Sequence, residues 1–121
     1  MCGTMCKPAS IVILPYPFSD AAQRKRRPVL VLTAPDELGD FIGLAVTSKG
    51  YHEAAVALQQ QDMSSGSLPK ASWIRTDKVF TLNQTLVIKS VGEVSEGVFR
   101  QARGAICGKI GCHESGAGSI G

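Results

Sequence analysis

Histidine is scarce in this chain: 121 residues hold only His52 and His113. No histidine pair offers itself as an acid and a base. There are four cysteines, Cys2, Cys6, Cys107 and Cys112, all near the termini. Neither the C-x3-C spacing nor the Cys112–His113 dipeptide matches a zinc knuckle, so no metal site is expected. No charged-then-apolar leader stands at the N-terminus. The run Ile11, Val12, Ile13, Leu14 stops at Pro15, far too short for a secretory core or a membrane span. This reading predicts a cytoplasmic protein with reduced, free thiols. Aromatic residues make up 6% of the chain, and no internal repeat is visible.

What is present is a globular composition. Hydrophobic residues account for 44% and charged residues for 19%, which argues against disorder. A chain of 121 residues favours one domain and buries about two thirds of its unfolded surface, so it needs no staple. The whole of 1–121 reads as that domain, with 1–9 as an N-terminal extension and the Gly/Ser-rich 114–121 as a flexible tail. A formal charge of +3 permits an anionic partner without requiring one.

The stretch that stands out runs from residue 24. Arg24, Lys25, Arg26 and Arg27 meet Pro28, and an apolar β-branched run follows to Thr33. Such a run suits a central strand buried on both faces. Cations at its start would rest on a rigid backbone, a sound place to hold a phosphate. Residues 11–14 read as a first short strand, 41–47 as a third and 53–58 as a fourth. Residues 59–67 read as a loop. Residues 72–82 alternate in part, with Trp73, Arg75, Asp77 and Val79 on one face and Ile74, Thr76, Lys78 and Phe80 on the other. Residues 86–88 read as a further short strand. Ser95 is a good N-cap, Glu96 suits a first helical turn, and Val98, Phe99, Ala102, Ala105 and Ile106 share a helical face. Five or six short strands, one terminal helix and no strand–helix alternation predict an α+β domain on a small, strongly bent antiparallel sheet.

Three polar clusters sit at strand ends or on one strand face: residues 24–27, Thr47 with Ser48 and Lys49, and Arg75 with Asp77. A small bent sheet can bring them to one groove. Taken with their surroundings, they form a recognisable order. Ile-Val-Ile-Leu-Pro-Tyr-Pro-Phe-Ser-Asp at 11–20 precedes Lys-Arg-Arg-Pro-Val-Leu-Val-Leu at 25–32. Ala-Val-Thr-Ser at 45–48, Ser-Trp-Ile-Arg-Thr-Asp-Lys at 72–78 and Val-Gly at 91–92 follow, ahead of the helix. From about residue 9 to residue 111 the chain resembles the PemK/MazF family, the toxins of type II toxin–antitoxin systems.

The resemblance implies an SH3-like small β-barrel with a C-terminal helix, a homodimer, and metal-independent cleavage of single-stranded RNA. In that chemistry the substrate's own 2′-hydroxyl is the nucleophile, so no cofactor is expected, and the product is a 2′,3′-cyclic phosphate with a 5′-hydroxyl end. It assigns Arg27 to the phosphate and the transition-state charge, and Thr47 to a hydrogen bond with a phosphate oxygen. Arg75 and Asp77 match a pair given acid and base roles in one branch. An arginine is a poor proton shuttle, so Arg75 reads better as an electrostatic clamp and Asp77 as base or orienter. Arg24, Lys25, Arg26, Ser48, Lys49 and Tyr16 are assigned to RNA binding. Tyr16, Phe18 and Trp73 are candidates for base stacking, with Phe18 and Trp73 read as core. The family also implies an antitoxin that inserts an acidic, disordered segment, for which the basic residues at 24–27 are a seat.

The chain departs from the family in two places. Ala9-Ser10 stands where a Gly-Asp usually precedes the first strand, and no histidine occurs at 21–26. His52 reads as an exposed loop residue. Two other readings stay open: a toxin of the same barrel that binds protein, as the related gyrase poisons do, and a non-catalytic barrel that binds RNA or antitoxin.

Overall fold

The β-branched segments pair into a single antiparallel sheet. In the computed structural model, the residues described are 6–15, 26–48, 55–68 and 70–111. The strands are β1 (Ser10–Pro15), β2 (Arg26–Val31), β3 (Asp40–Thr47), β4 (Ala55–Leu58), β5 (Met63–Gly66), β6 (Ser72–Asn83) and β7 (Lys89–Val94), followed by helix α1 (Glu96–Ile110). Their spatial order is β4-β6-β3-β2-β1-β7-β5. One buried cluster joins Val56 and Leu58 of β4 to Val94 of β7, near opposite edges of that order. Strands so far apart can share a core only if the sheet curls round it, as the sequence predicts for a small bent α+β sheet.

The curl gives the sheet an inside and an outside. Inside, Ile11, Leu30, Leu44, Val46 and Ile74 join Val98 and Ala102 of α1, with Phe99 and Ile106 packed alongside. This is the helical face expected from the spacing. Ser95 caps the helix, its hydroxyl accepting from the Val98 amide at 3.3 Å. Outside, Val12, Leu14, Val29, Val31, Phe41 and Leu82 form a second cluster with Cys6. Full burial of each such side chain contributes about 1.5–3 kcal/mol, so each face carries a core of its own.

Several boundaries differ from the sequence reading. β2 begins at Arg26 rather than at Pro28, because β1 extends to Pro15 and pairs with it. Arg26 lies opposite Pro15, Arg27 opposite Leu14 and Pro28 opposite Ile13. Residues 59–67, read as a loop, hold a short 3-10 turn (Gln60–Asp62) and strand β5. Its Met-Ser-Ser-Gly has no strand propensity, and backbone pairing with β7 makes the strand. That pairing brings two glycines together. A Cβ on Gly66, at φ +80°, would lie 2.1 Å from the Val91 carbonyl oxygen. The strand expected at 86–88 starts instead at Lys89, since Asn83 caps a 3-10 turn (Gln84–Leu86) through the Thr85 amide.

Cys107 is disulfide-bonded, with its partner outside the described residues. This corrects the expectation of four free thiols. Among the described residues no helix is long and apolar enough to cross a membrane.

Residues 6–9, read as part of an extension, pack against the sheet. Cys6 is fully buried, the Ala9 amide donates to the Val31 carbonyl at 2.9 Å, and the Ala9 carbonyl accepts from Val94 at 2.9 Å. Ala9 does this at φ +79°, in the left-handed region. A side chain there costs about 1 kcal/mol that glycine does not. Glycine would reach this angle without the strain that this chain carries. Ser10 is 1% exposed. Both residues sit at the end of β1 away from the Leu14–Arg27 pair. Ala9→Gly should raise the free energy of unfolding by up to about 1 kcal/mol, less a small loss of packing from the methyl. Urea denaturation with an unchanged m-value checks it; a less stable variant would show that Ala9 is held by contacts worth more than its strain.

Candidate functional site

The site begins with a break in register. β3 and β6 pair from Asp40–Asn83 to Leu44–Val79, then resume at Val46–Ile74 and Thr47–Trp73. Residues 75–78 of β6 thus stand against Ala45 alone. Such a bulge bends the strand and re-aims its side chains. It also corrects the alternation read from the sequence. Before the bulge Ile74 joins the inner cluster, while beyond it Leu82 and Phe80 belong to the outer one. An odd offset has exchanged the faces, because five residues of β6 advance where β3 advances two. Trp73, Arg75 and Asp77 do not share a face with Val79 as the plain period would have them.

On the outer face, the register gathers the expected residues. Val29 faces Ala45 as the last pair of β2 with β3, and Arg27 and Thr47, each two residues further on, lie on the face of that pair. Thr47 in turn faces Trp73, and Arg75 faces Ala55 of β4. Side chains two apart on a strand point the same way. Arg27, Thr47, Trp73 and Arg75 therefore line one strip, with Leu14, Val29 and Ala45 as its buried floor. The strip starts where the outer core ends. Arg26 and Arg27 are exposed, Thr47 is half-buried and Ser48 is exposed. Arg26 alternates to the other side of β2 from Arg27. Arg24, Lys25, Lys49, Tyr16, Phe18 and His52 lie outside the described residues.

Arg75 and Asp77 are joined by two parallel hydrogen bonds. Nε of Arg75 donates to Oδ1 at 3.0 Å, and Nη2 donates to Oδ2 at 2.7 Å. The fork fits a planar guanidinium to a planar carboxylate. These bonds to Arg75 hold the Asp77 carboxyl below the usual carboxylate range, against a small opposing cost of burial. The two side chains are 22% and 32% exposed, so the pair adds little to stability once solvent screening is counted. Its effect is geometric, since it fixes where the remaining guanidinium N–H groups point. A carboxylate held in that way is poorly matched to a general base, which works best with a pKa near the working pH.

Such an arrangement suits an anion. Two guanidinium groups and a hydroxyl on one strip can bind phosphate oxygens and stabilise added charge. Among the described residues no group of three or more His, Cys, Asp and Glu could hold a metal ion. The sequence reading placed Trp73 in the core. It lies instead half-buried on the strip and, among the described residues, belongs to neither apolar cluster. The signal was its phase: Trp73 lies one residue from buried Ile74 and two from Arg75.

Comparisons with known proteins bear on the family and the fold. Residues 7–108 match the family model described as the PemK-like, MazF-like toxin of type II toxin–antitoxin systems. Among solved structures, a MazE–MazF crystal structure from Deinococcus radiodurans superposes with a TM-score of 0.71 at 23% identity, covering 88% of this chain and 97% of that one. An endoribonuclease in complex with its cognate antitoxin, from a mycobacterial species, gives 0.64 at 15% identity, covering 87% and 94%. The Mycobacterium tuberculosis toxin MazF-mt6 gives 0.63 at 19% identity, covering 84% and 96%. No curated protein sequence matches the chain. With most of its length inside the family model and the matching curled sheet, the chain belongs to the PemK-like, MazF-like toxins of type II toxin–antitoxin systems.

Proposed function

We propose that the chain is an endoribonuclease that cuts single-stranded RNA with the RNA's own 2′-hydroxyl as nucleophile. The observation that carries this is the strip itself, where Arg27, Thr47 and an Arg75 pinned by Asp77 converge on one sheet face. The 2′-oxygen attacks phosphorus, the P–O2′ bond forms and the P–O5′ bond breaks. The 2′-hydroxyl gives up its proton and the departing 5′-oxygen gains one, leaving a 2′,3′-cyclic phosphate and a 5′-hydroxyl. Arg27 binds a non-bridging oxygen and offsets the charge of the pentavalent state. Thr47 donates a hydrogen bond to the same phosphate. Arg75 is a second clamp, and Asp77 orients it. Both proton transfers go through water, and electrostatic stabilisation supplies the larger share of the rate.

The toxin works in the cytoplasm, where messenger RNA is met, as a homodimer restrained by an antitoxin. The antitoxin's acidic segment, ordering as it binds, competes for the basic residues at 24–27. The structures that resemble this chain include MazE–MazF and an endoribonuclease in complex with its cognate antitoxin, which supports an antitoxin as partner. Arg24, Lys25 and Arg26 steer the RNA backbone, with Ser48, Lys49 and Tyr16 as further contacts. Salt weakens both associations.

Arg27→Ala should lower kcat for a single-stranded RNA by about 10²–10³-fold and leave the circular-dichroism spectrum unchanged, in buffer that holds a chelator. Cleavage by Arg27→Ala at the wild-type rate would move the site elsewhere. Asp77→Asn separates orienter from base. Its lowered pKa means that the wild-type pair is ionised above the ordinary carboxylate range and opens only as pH falls below it. From pH 5 to 9 Asp77 should therefore add no inflection. As an orienter, its loss should lower kcat by about 10–100-fold at every pH with the profile's shape kept. A variant whose rate gains a new, steep rise with pH would make Asp77 the base.

A further inference from the structure

Trp73 is the one tryptophan of the chain, and the fold places it beside the reaction strip rather than in the core. Its cross-strand neighbours on the two sides are Thr47 of β3 and Ala57 of β4. Directly opposed residues in an antiparallel pair hold their Cβ atoms about 4.5–5.5 Å apart. The indole therefore starts one side chain away from the proposed phosphate ligand Thr47. On its other flank, Ala57 and Ala55 are methyl groups, too small to cover a ring of that size. Ala45 beneath the strip is equally small. Among the described residues, the Trp73 side chain makes no hydrogen bond or ring contact, so its indole N–H has no acceptor there. A tryptophan normally buries most of its body and gives its N–H a partner. Among the described residues, a large ring lies half-buried between Thr47 and Ala57, outside both apolar clusters and on the face that carries the guanidinium groups of Arg75 and Arg27.

From this juxtaposition we infer that Trp73 is a stacking shelf for the base of a nucleotide flanking the scissile phosphate. The occupant is a single-stranded nucleic acid, since a base in a duplex has no free face to offer. The shelf and the clamps divide the nucleotide between them, with the ring under the base and Arg27, Thr47 and Arg75 around the phosphate. Stacking tolerates any base, so Trp73 contributes affinity and register more than sequence choice. This rests on the reading of the strip as an RNA site.

The test uses the lone tryptophan as its own reporter. The probe is a fluorescein-labelled, 2′-O-methyl oligoribonucleotide, which binds but offers no nucleophile. Anisotropy of the label measures binding, while tryptophan emission and its quenching by iodide measure what happens at Trp73. We expect saturating oligonucleotide to quench the emission and shield it from iodide. Trp73→Ala should weaken binding by about tenfold or more, and Trp73→Phe, which keeps a ring, should recover most of it. Binding that leaves both emission and iodide access unchanged would overturn the shelf while leaving the RNA reading intact. So would equal affinities for wild type and a folded Trp73→Ala. Should Trp73→Ala fail to fold, the emission and iodide readings on wild type decide the question alone. No binding by wild-type protein at low salt would overturn the RNA reading and the shelf with it.

Discussion

The site depends on one register break. Where β6 passes β3, residues 75–78 are accommodated against Ala45 alone, and the strand exchanges its faces. Upstream of the break, β6 sends Ile74 inward and presents Trp73 and Arg75 outward beside Thr47. Downstream, the same strand turns Leu82 and Phe80 to the outer cluster. Without the break, a strand of this alternation would put the apolar side chains of one half in water. With it, one long strand serves both cores, and its corner holds the Arg75–Asp77 pair.

The outer face is accordingly divided by composition. The division runs along the strands: at one end Val31, Phe41 and Leu82 close the face as core, and at the other Arg27, Thr47, Trp73 and Arg75 line it. The inner face holds the apolar cluster against which α1 packs. Asp77 belongs to this division too. Its carboxylate offsets part of the positive charge while fixing the direction of Arg75, so the strip keeps a shaped donor array rather than a diffuse field.

Much of this was legible from residue order. The β-branched runs announced the central strands, and Ser95 with the spacing of Val98, Ala102 and Ile106 announced the helix and its buried face. The polar clusters at residues 24–27, 47–48 and 75–77 were visible as strand-end features, and family order supplied their roles. What stayed hidden was set by pairing rather than by propensity. β5 is a strand only because β7 accepts it, and Gly66 permits the approach. β2 begins inside the basic run because β1 extends to meet it. The bulge depends on how β6 meets both β3 and β4, which no window along one strand contains. Trp73 was misplaced for a related reason: a large aromatic on a strand is usually core, and only the register reveals alanines where packing partners would be.

The central claim is that this strip cleaves RNA through the 2′-hydroxyl, and the chemistry of the cut ends tests it most directly. Purified protein, free of antitoxin, is incubated with a single-stranded RNA in the presence of a chelator, and both termini of the fragments are identified. The account predicts 2′,3′-cyclic phosphate and 5′-hydroxyl ends. Intact RNA, or fragments bearing 5′-phosphate and 3′-hydroxyl ends, would contradict it.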